Sequence, residues 1–197
     1  MMETEQHNPH HIYTVGEHTI RSMQYIRADK VLRLTMLLHD VAKPVCRTED
    51  ENGIHHFHGH PQVGAEMSRK ILRRLKFDND TIHRVMALVR AHDDRPPLQG
   101  RSVRRAIYRN GTGQYPELFE VKRADILAQS SFLQQEKLLY VDRYEHMYQQ
   151  IMEKEQCLSL KELAVNGSDL IARGIQPGKE IGEFCIRCWR KFWKNRN

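Results

Sequence analysis

Val31-Leu32-Arg33-Leu34-Thr35-Met36-Leu37-Leu38-His39-Asp40-Val41-Ala42-Lys43-Pro44 is the stretch on which the reading of the fold turns. From Val31 to Val41 it is rich in Leu and Met with few polar breaks, the pattern of a central buried helix. Pro44, which has no N–H for a helix interior, marks a stop before it. His39 and Asp40 therefore stand near the helix C-terminus. With His18 upstream and Asp125 downstream they make a set of imidazoles and carboxylates suited to a borderline first-row cation. Oxygen-only Ca²⁺ sites do not use histidine, and structural zinc sites prefer thiolates. A carboxylate beside a histidine can also bridge two ions across an attacking water, so the set points to metal-assisted phosphoryl hydrolysis.

Outward from this stretch the sequence predicts an all-α chain. Thr14-Val15-Gly16-Glu17 has the form of a capping box and starts a helix that runs to about Ala28, with His18 in its first turn. Glu49 to Gly59 has no sustained period and reads as a loop, in which His55, His56 and His58 are expected to be mostly solvated. Pro61 suits the first turn of the next helix, whose apolar residues Val63, Met67, Ile71, Leu72 and Leu75 recur at helical spacing, with His60 at its edge. A further helix from Asn79 or Asp80 to Ala91 carries the stripe Ile82, Val85, Val89, His92, which turns His92 inward. Arg95-Pro96-Pro97 interrupts, a short basic helix covers Val103 to Tyr108, and Gly111-Thr112-Gly113 marks a turn. A long helical stretch follows from Pro116, with Leu118, Val121, Asp125 and Ala128 on one stripe.

A carboxylate on an apolar face is costly unless its desolvation is compensated, and a metal ion would compensate Asp125. A buried salt bridge is the competing account for that residue taken alone. The conjunction argues for the metal. His39, Asp40, His60, His92 and Asp125 fall at helix ends or on inward stripes of separate elements, and His18 adds a sixth group. No structural role needs all six.

Composition sets the bounds. The chain has 197 residues, enough for one domain or one domain with a small appendage, and 31 Lys+Arg against 25 Asp+Glu give a net charge of +6. That is a mild bias toward polyanions such as nucleotides or RNA. The first residues lack a basic and apolar leader and no apolar run reaches the roughly 20 residues of a membrane span, so a soluble cytoplasmic protein without a membrane partner is expected. Four cysteines make no disulfide framework. Cys185-Ile-Arg-Cys188 spells CxxC, but Ile181, Cys185, Cys188 and Phe192 share helical spacing, so both thiols read as small apolar residues on a helix face.

His18, His39-Asp40-Val41-Ala42-Lys43-Pro44 and Asp125 together resemble the HD superfamily of metal-dependent phosphohydrolases. Longer stretches narrow the resemblance to the HD portion of bacterial tRNA nucleotidyltransferases, the CCA-adding enzymes. These are Asn8 to Thr19 (NPHHIYTVGEHT), Gly59 to Glu66 (GHPQVGAE) and Arg123-Ala124-Asp125 with Ala128-Gln129-Ser130. Asn166 to Gly182 (NGSDLIARGIQPGKEIG) resembles the segment that follows that portion in the same enzymes.

The resemblance implies an HD helical bundle over residues 1–155, a small helical module over 156–197, and no nucleotidyltransferase head. Addition of nucleotides is then not expected. Hydrolysis of nucleotide or RNA-end phosphates is, including 2′,3′-cyclic phosphates. Within the same class the alternative is hydrolysis of dinucleoside polyphosphates or 5′-nucleotides, and outside it a non-catalytic tRNA-binding or RNA-binding module with a structural metal site.

By the same resemblance, His18, His39, Asp40 and Asp125 would hold a first ion. His60 and His92 would hold a second with Asp40 as bridge, the cofactor being one or two divalent ions, Mn, Ni, Co, Fe or Mg. Asp40 is then catalytic. Lys43, one turn from His39, is assigned to the substrate phosphate or the leaving oxygen, the alternative being a solvated lysine at a helix end. Arg95 and Arg123 are phosphate-clamp candidates, with ordinary ion pairs as the alternative. His10 and His11 are placed near the site without being ligands. In the tail, Arg187, Trp189, Arg190, Lys191, Phe192, Trp193, Lys194 and Arg196 interleave bases with aromatics, which suits RNA. Docking of an amphipathic helix explains the aromatics better, because Phe192 continues the apolar stripe.

Overall fold

The computed structural model describes residues 2–6, 12–154 and 166–194, with side chains through 188 in the last stretch. His10, His11 and the tail residues from Trp189 to Arg196 lie outside the described side chains, as does the 155/156 boundary. The described residues are all-α apart from one two-stranded hairpin. In order they form α1 (Val15–Ser22), α2 (Lys30–Leu38), α3 (Lys43–Cys46), β1 (Thr48–Glu49), β2 (His55–His56), α4 (His60–Arg74), α5 (Asn79–Ala91) and α6 (Gly100–Asn110). Then come α7 (Tyr115–Leu127), α8 (Gln134–Glu153), α9 (Gly167–Ala172) and α10 (Lys179–Lys194). None of these helices is long and apolar enough to cross a membrane.

Contacts divide the chain into two compact units, Met1–Arg95 with Thr112–Arg143, and Pro96–Gly111 with Tyr144–Asn197. In the first, α2 packs on α1, α5 and α7, and α4 packs on α5. Leu32 and Met36 of α2, Val85, Leu88 and Val89 of α5, and Leu118, Val121 and Ala124 of α7 are fully buried there. Each such Leu, Val or Met side chain contributes about 1.5–3 kcal/mol of transfer free energy. In the second unit Val103, Ala106, Ile107, Tyr144, Ile151 and Leu170 are buried, and α9 packs on α10.

Local chemistry explains the element ends. The Thr14 hydroxyl accepts from the Glu17 amide, and the Glu17 carboxylate accepts from the Thr14 amide, so both halves of the capping box are made. Helix α1 nonetheless stops at Ser22 rather than near Ala28. Tight turns take over, with Gln24 N–H donating to Arg21 O and Tyr25 N–H to Ser22 O, and the chain must extend at Asp29, whose carboxylate caps α2. Pro44 does not merely end a helix; it sits in the first turn of the short α3.

The stretch expected as a loop is a hairpin. Asp50 Oδ1 accepts from the amides of Asn52 (2.9 Å) and Ile54 (3.0 Å), Gly53 takes φ +74°, and Thr48 and Glu49 pair with His56 and His55. The apolar stripe read on α4 is also displaced. Val63 and Leu75 are exposed, while His60, Gly64, Ala65, Ser68 and Leu72 face inward. A Cβ at Gly64 would lie 3.5 Å from Val89 Cγ1 and 3.6 Å from His39 O, so small residues let α4 approach α5 and the end of α2 closely. In α10, Ile181 and Cys185 are half-buried but Cys188 is exposed, so only one thiol of the pair keeps to the apolar stripe.

Candidate metal centre

The six groups picked out along the sequence come together inside the first unit. His18 projects from the first turn of α1, His39 caps α2, Asp40 follows it, His60 opens α4, His92 caps α5, and Asp125 lies on α7. All are buried, His18 and His39 completely.

Each imidazole uses Nδ1 on a backbone carbonyl. His39 Nδ1 lies 2.7 Å from Met36 O, His92 Nδ1 2.7 Å from Val89 O, His60 Nδ1 2.8 Å from Phe57 O and His18 Nδ1 3.3 Å from Ala128 O. A carbonyl only accepts, so Nδ1 carries the hydrogen and a neutral ring presents the Nε2 lone pair. Those nitrogens converge in two pairs, His18 with His39 at 3.2 Å and His60 with His92 at 3.3 Å. Facing lone pairs at such distances repel unless positive charge lies against them.

Asp40 stands between the pairs. Its Oδ2 is 3.2 Å from His39 Nε2 and 3.7 Å from His18 Nε2, while its Oδ1 is 3.4 Å from His60 Nε2 and 3.8 Å from His92 Nε2. Asp125 Oδ1 joins the first pair, 2.9 Å from His18 Nε2 and 3.7 Å from His39 Nε2. The ligand atoms of His18, His39 and Asp40 lie within 4.8 Å of one another, as do those of Asp40, His60 and His92.

The donor set fits divalent cations on the structure's own terms. Asp40 Oδ2 is buried, with the Lys43 ammonium 2.7 Å away on one side and the Nε2 atoms of His39 and His18 on the other. Mixed imidazole and carboxylate ligation suits first-row ions. Every histidine also has the outer partner that orients a metal-bound ring.

The charges are lopsided. Burial disfavours a protonated His39, but Asp40 and Asp125 overcome it and hold that ring up at about 10. Burial, together with His39 and His60, pushes His92 down to about 4. Burial would raise both carboxyls, yet His39 and Lys43 hold Asp40 well below the usual carboxylate range, and His18 and His39 do the same for Asp125.

A cleft of about 490 Å³ opens over one side of this cluster. Asp40, His60, His92 and Asp125 lie in its wall, and the hairpin residues His55 to His58 form another side. His55 is buried with Nδ1 3.1 Å from Glu5 O, against the solvated loop expected, whereas His56, half-exposed and paired with Asp50, and the exposed His58 on which it stacks reach solvent as expected while lining the cleft. Lys43 lines the cleft too, but it is buried, its Nζ donating to Gln6 Oε1 (2.6 Å) and ion-paired with Asp40. It is not a solvated helix-end lysine. Arg95 reaches the cleft while paired with Asp93 at 3.3 Å. Arg123 is not in its wall; its guanidinium donates to Asp142 Oδ1 at 2.7 Å.

Two supports escaped the sequence reading. Gln129, one turn beyond Asp125, donates from Nε2 to Asp125 Oδ2 (3.0 Å) and accepts from Lys137 Nζ (2.8 Å). Its i+4 spacing from the carboxylate was the available signal. The buried Lys122 ammonium donates to His92 O (2.7 Å) and Asp94 O (2.6 Å), fixing the chain just where α5 ends. Nothing local in the sequence marks it.

Fold and site thus define an all-α protein with a shared-carboxylate cluster of histidines and aspartates. Comparison with known proteins places it further: the pattern of the tRNA nucleotidyltransferase domain 2 family matches residues 48–191, and the chain belongs to that family. It is 33% identical over 179 residues to the CC-adding tRNA nucleotidyltransferase of Thermus thermophilus, covering 88% of this chain and 39% of that protein. It is 31% identical over 183 residues to the A-adding tRNA nucleotidyltransferase of Deinococcus radiodurans, covering 88% of this chain and 41% of that one. The chain therefore spans about two fifths of the length of these relatives.

Proposed function

We propose that this chain is a metal-dependent phosphohydrolase of the HD kind that its motif resembles, acting on nucleotides or RNA ends such as 2′,3′-cyclic phosphates. The observation that carries this reading is Asp40, whose two oxygens face two histidine pairs, one of them opening on a cleft. His18, His39, Asp40 and Asp125 would hold one divalent ion, and Asp40, His60 and His92 a second, of Mn, Co, Ni, Fe or Mg. Such ions supply Lewis acidity toward phosphoryl oxygens and lower the pKa of a water nucleophile.

The protein's own groups do the rest. The carbonyl-bound Nδ1 atoms keep each imidazole aimed at its own side of Asp40, and Gln129 keeps Asp125 from rotating. Lys43, seated on Asp40, offers positive charge to a phosphate in the cleft, and Arg95 offers more at its edge. The relatives' names bring tRNA forward as the RNA partner. The same names favour a second reading, a tRNA-binding body in which the cluster holds a structural metal.

The test is metal analysis of the purified chain, followed by a phosphatase and phosphodiesterase panel with Mn²⁺, Co²⁺, Ni²⁺ and Mg²⁺ on wild type and Asp40→Ala. Turnover that disappears in Asp40→Ala supports the hydrolase. Turnover that survives the substitution removes the cluster from the chemistry, and tight tRNA binding without turnover, unchanged in Asp40→Ala, favours the binding module.

A further inference from the structure

Beside the cleft, in the same unit, lies a second cavity of about 250 Å³. The two share His92, Arg95 and Asp125 in their walls, so they adjoin at the edge of the cluster. Their remaining walls differ in kind. The cleft is lined by four histidines besides His92, with Asp40, Asp93 and Lys43 and the apolar Ile54, Phe57 and Pro61, whereas the second chamber has no histidine but His92 and combines Ile126, Leu133, Val141 and the half-buried ring of Tyr140 with Lys122, Glu136 and Lys137. Leu133 is held at φ +52°, a backbone conformation uncommon outside glycine, where the chain turns into α8.

Cations surround this apolar interior. Arg95, Lys122 and Lys137 all line the chamber, and carbonyls occupy two of the three N–H donors of the buried Lys122. Lys137 is tied through Gln129 to Asp125, so one hydrogen-bonded chain joins the chamber wall to a residue of the cluster. A bare phosphate has no use for the apolar interior, and a purely apolar ligand has none for three cations. A ring system carrying a phosphate uses both. The volume lies below the ~300–1,000 Å³ of pockets for drug-sized ligands and suits one flat ring with its sugar.

We propose that this chamber seats the base and sugar of a single nucleoside phosphate, free or at an RNA end, with its phosphate toward the His60–His92 side of the cluster. Tyr140 stacks on the base, Arg95 and Lys137 face the phosphate at the junction, and Glu136 accepts from sugar hydroxyls. The inference deepens the phosphohydrolase reading and rests on it for the position of the phosphate. It favours nucleotide units over small phosphoesters without a base.

The experiment is calorimetric titration of the Mn²⁺-loaded full chain with adenosine 5′-monophosphate and with ribose 5-phosphate, and ligand-observed NMR with adenosine. Wild type should bind the nucleotide about tenfold tighter than the sugar phosphate, the scale of one stacked base. Tyr140→Ala should erase that preference while leaving ribose 5-phosphate within about twofold of wild type. Leu133→Trp, at an exposed position on the chamber wall, should block adenosine without shifting the melting temperature, which separates occlusion from misfolding.

Equal binding of the two phosphates by wild type, or a preference that survives both variants, overturns the chamber and leaves the hydrolase reading standing. Adenosine binding without any phosphate binding supports the chamber and overturns the phosphate-handling cluster. No binding by any probe overturns both. A tetraribonucleotide with a 3′-phosphate, titrated alongside, identifies an RNA end if it matches the mononucleotide and a free nucleotide if it does not bind.

Discussion

The two sides of Asp40 are built from the same residue types and behave differently. On one side His18 and His39 have no exposed surface, Asp125 brings an oxygen to 2.9 Å from His18 Nε2, and the carboxylates hold His39 up at about 10. On the other, His60 and His92 line the cleft with no second carboxylate as close, and burial with neighbouring positive charge pushes His92 down to about 4. The doubly acidic side, closed by His18 and His39 and reached from the cleft only at Asp125, would retain a cation; the singly acidic one would leave coordination positions for water and substrate. On the proposed reading, retention and chemistry would be divided across one carboxylate.

The largest effect that sharpens this contrast is loss of the shared residue. Asp40→Ala should abolish both ions and reduce turnover beyond the ~10–100-fold that loss of an outer-shell partner costs, checked by elemental analysis and the phosphatase panel. Stability should fall as well, because the buried Lys43 ammonium loses its carboxylate. Substitution on the singly acidic side alone should separate the two functions. His92→Ala is expected to keep the ion bound by His18, His39, Asp40 and Asp125 while losing the other and most turnover, and equal loss of both ions would erase the distinction between the sides.

Smaller effects come from the supports. Gln129→Leu frees one oxygen of Asp125 and should weaken metal retention on the doubly acidic side by roughly tenfold, read by competition with a chelating dye. Thr14→Ala removes the cap that sets the first turn of α1 and with it His18. It should cost about 1 kcal/mol of stability in a urea titration, with metal content unchanged.

What was legible in the sequence was whatever depends on short-range rules. The capping box at Thr14, the inward stripe ending at His92 and the run ending at His39 are local patterns, and each sets a histidine at a helix end. The hairpin was not legible, because its two-residue strands are shorter than any period and its closure rests on Asp50 and Gly53. The buried face of α4 was misjudged because Gly64 and Ser68 are chosen for closeness rather than hydrophobicity. The burial of Lys43 and Lys122 was not legible, because it depends on acceptors far away in sequence or across the fold: Gln6 for the first, the backbone carbonyls of His92 and Asp94 for the second. Arg123, for which the sequence offered a phosphate clamp or an ordinary ion pair, makes the ion pair, with Asp142.

The direct measurement is anomalous diffraction at the manganese edge from crystals of the chain grown with Mn²⁺. The expected map has one peak bounded by His18, His39, Asp40 and Asp125 and a second, facing the cleft, bounded by Asp40, His60 and His92. A map with manganese elsewhere and none within coordinating distance of Asp40 would contradict the shared-carboxylate centre and every function built on it.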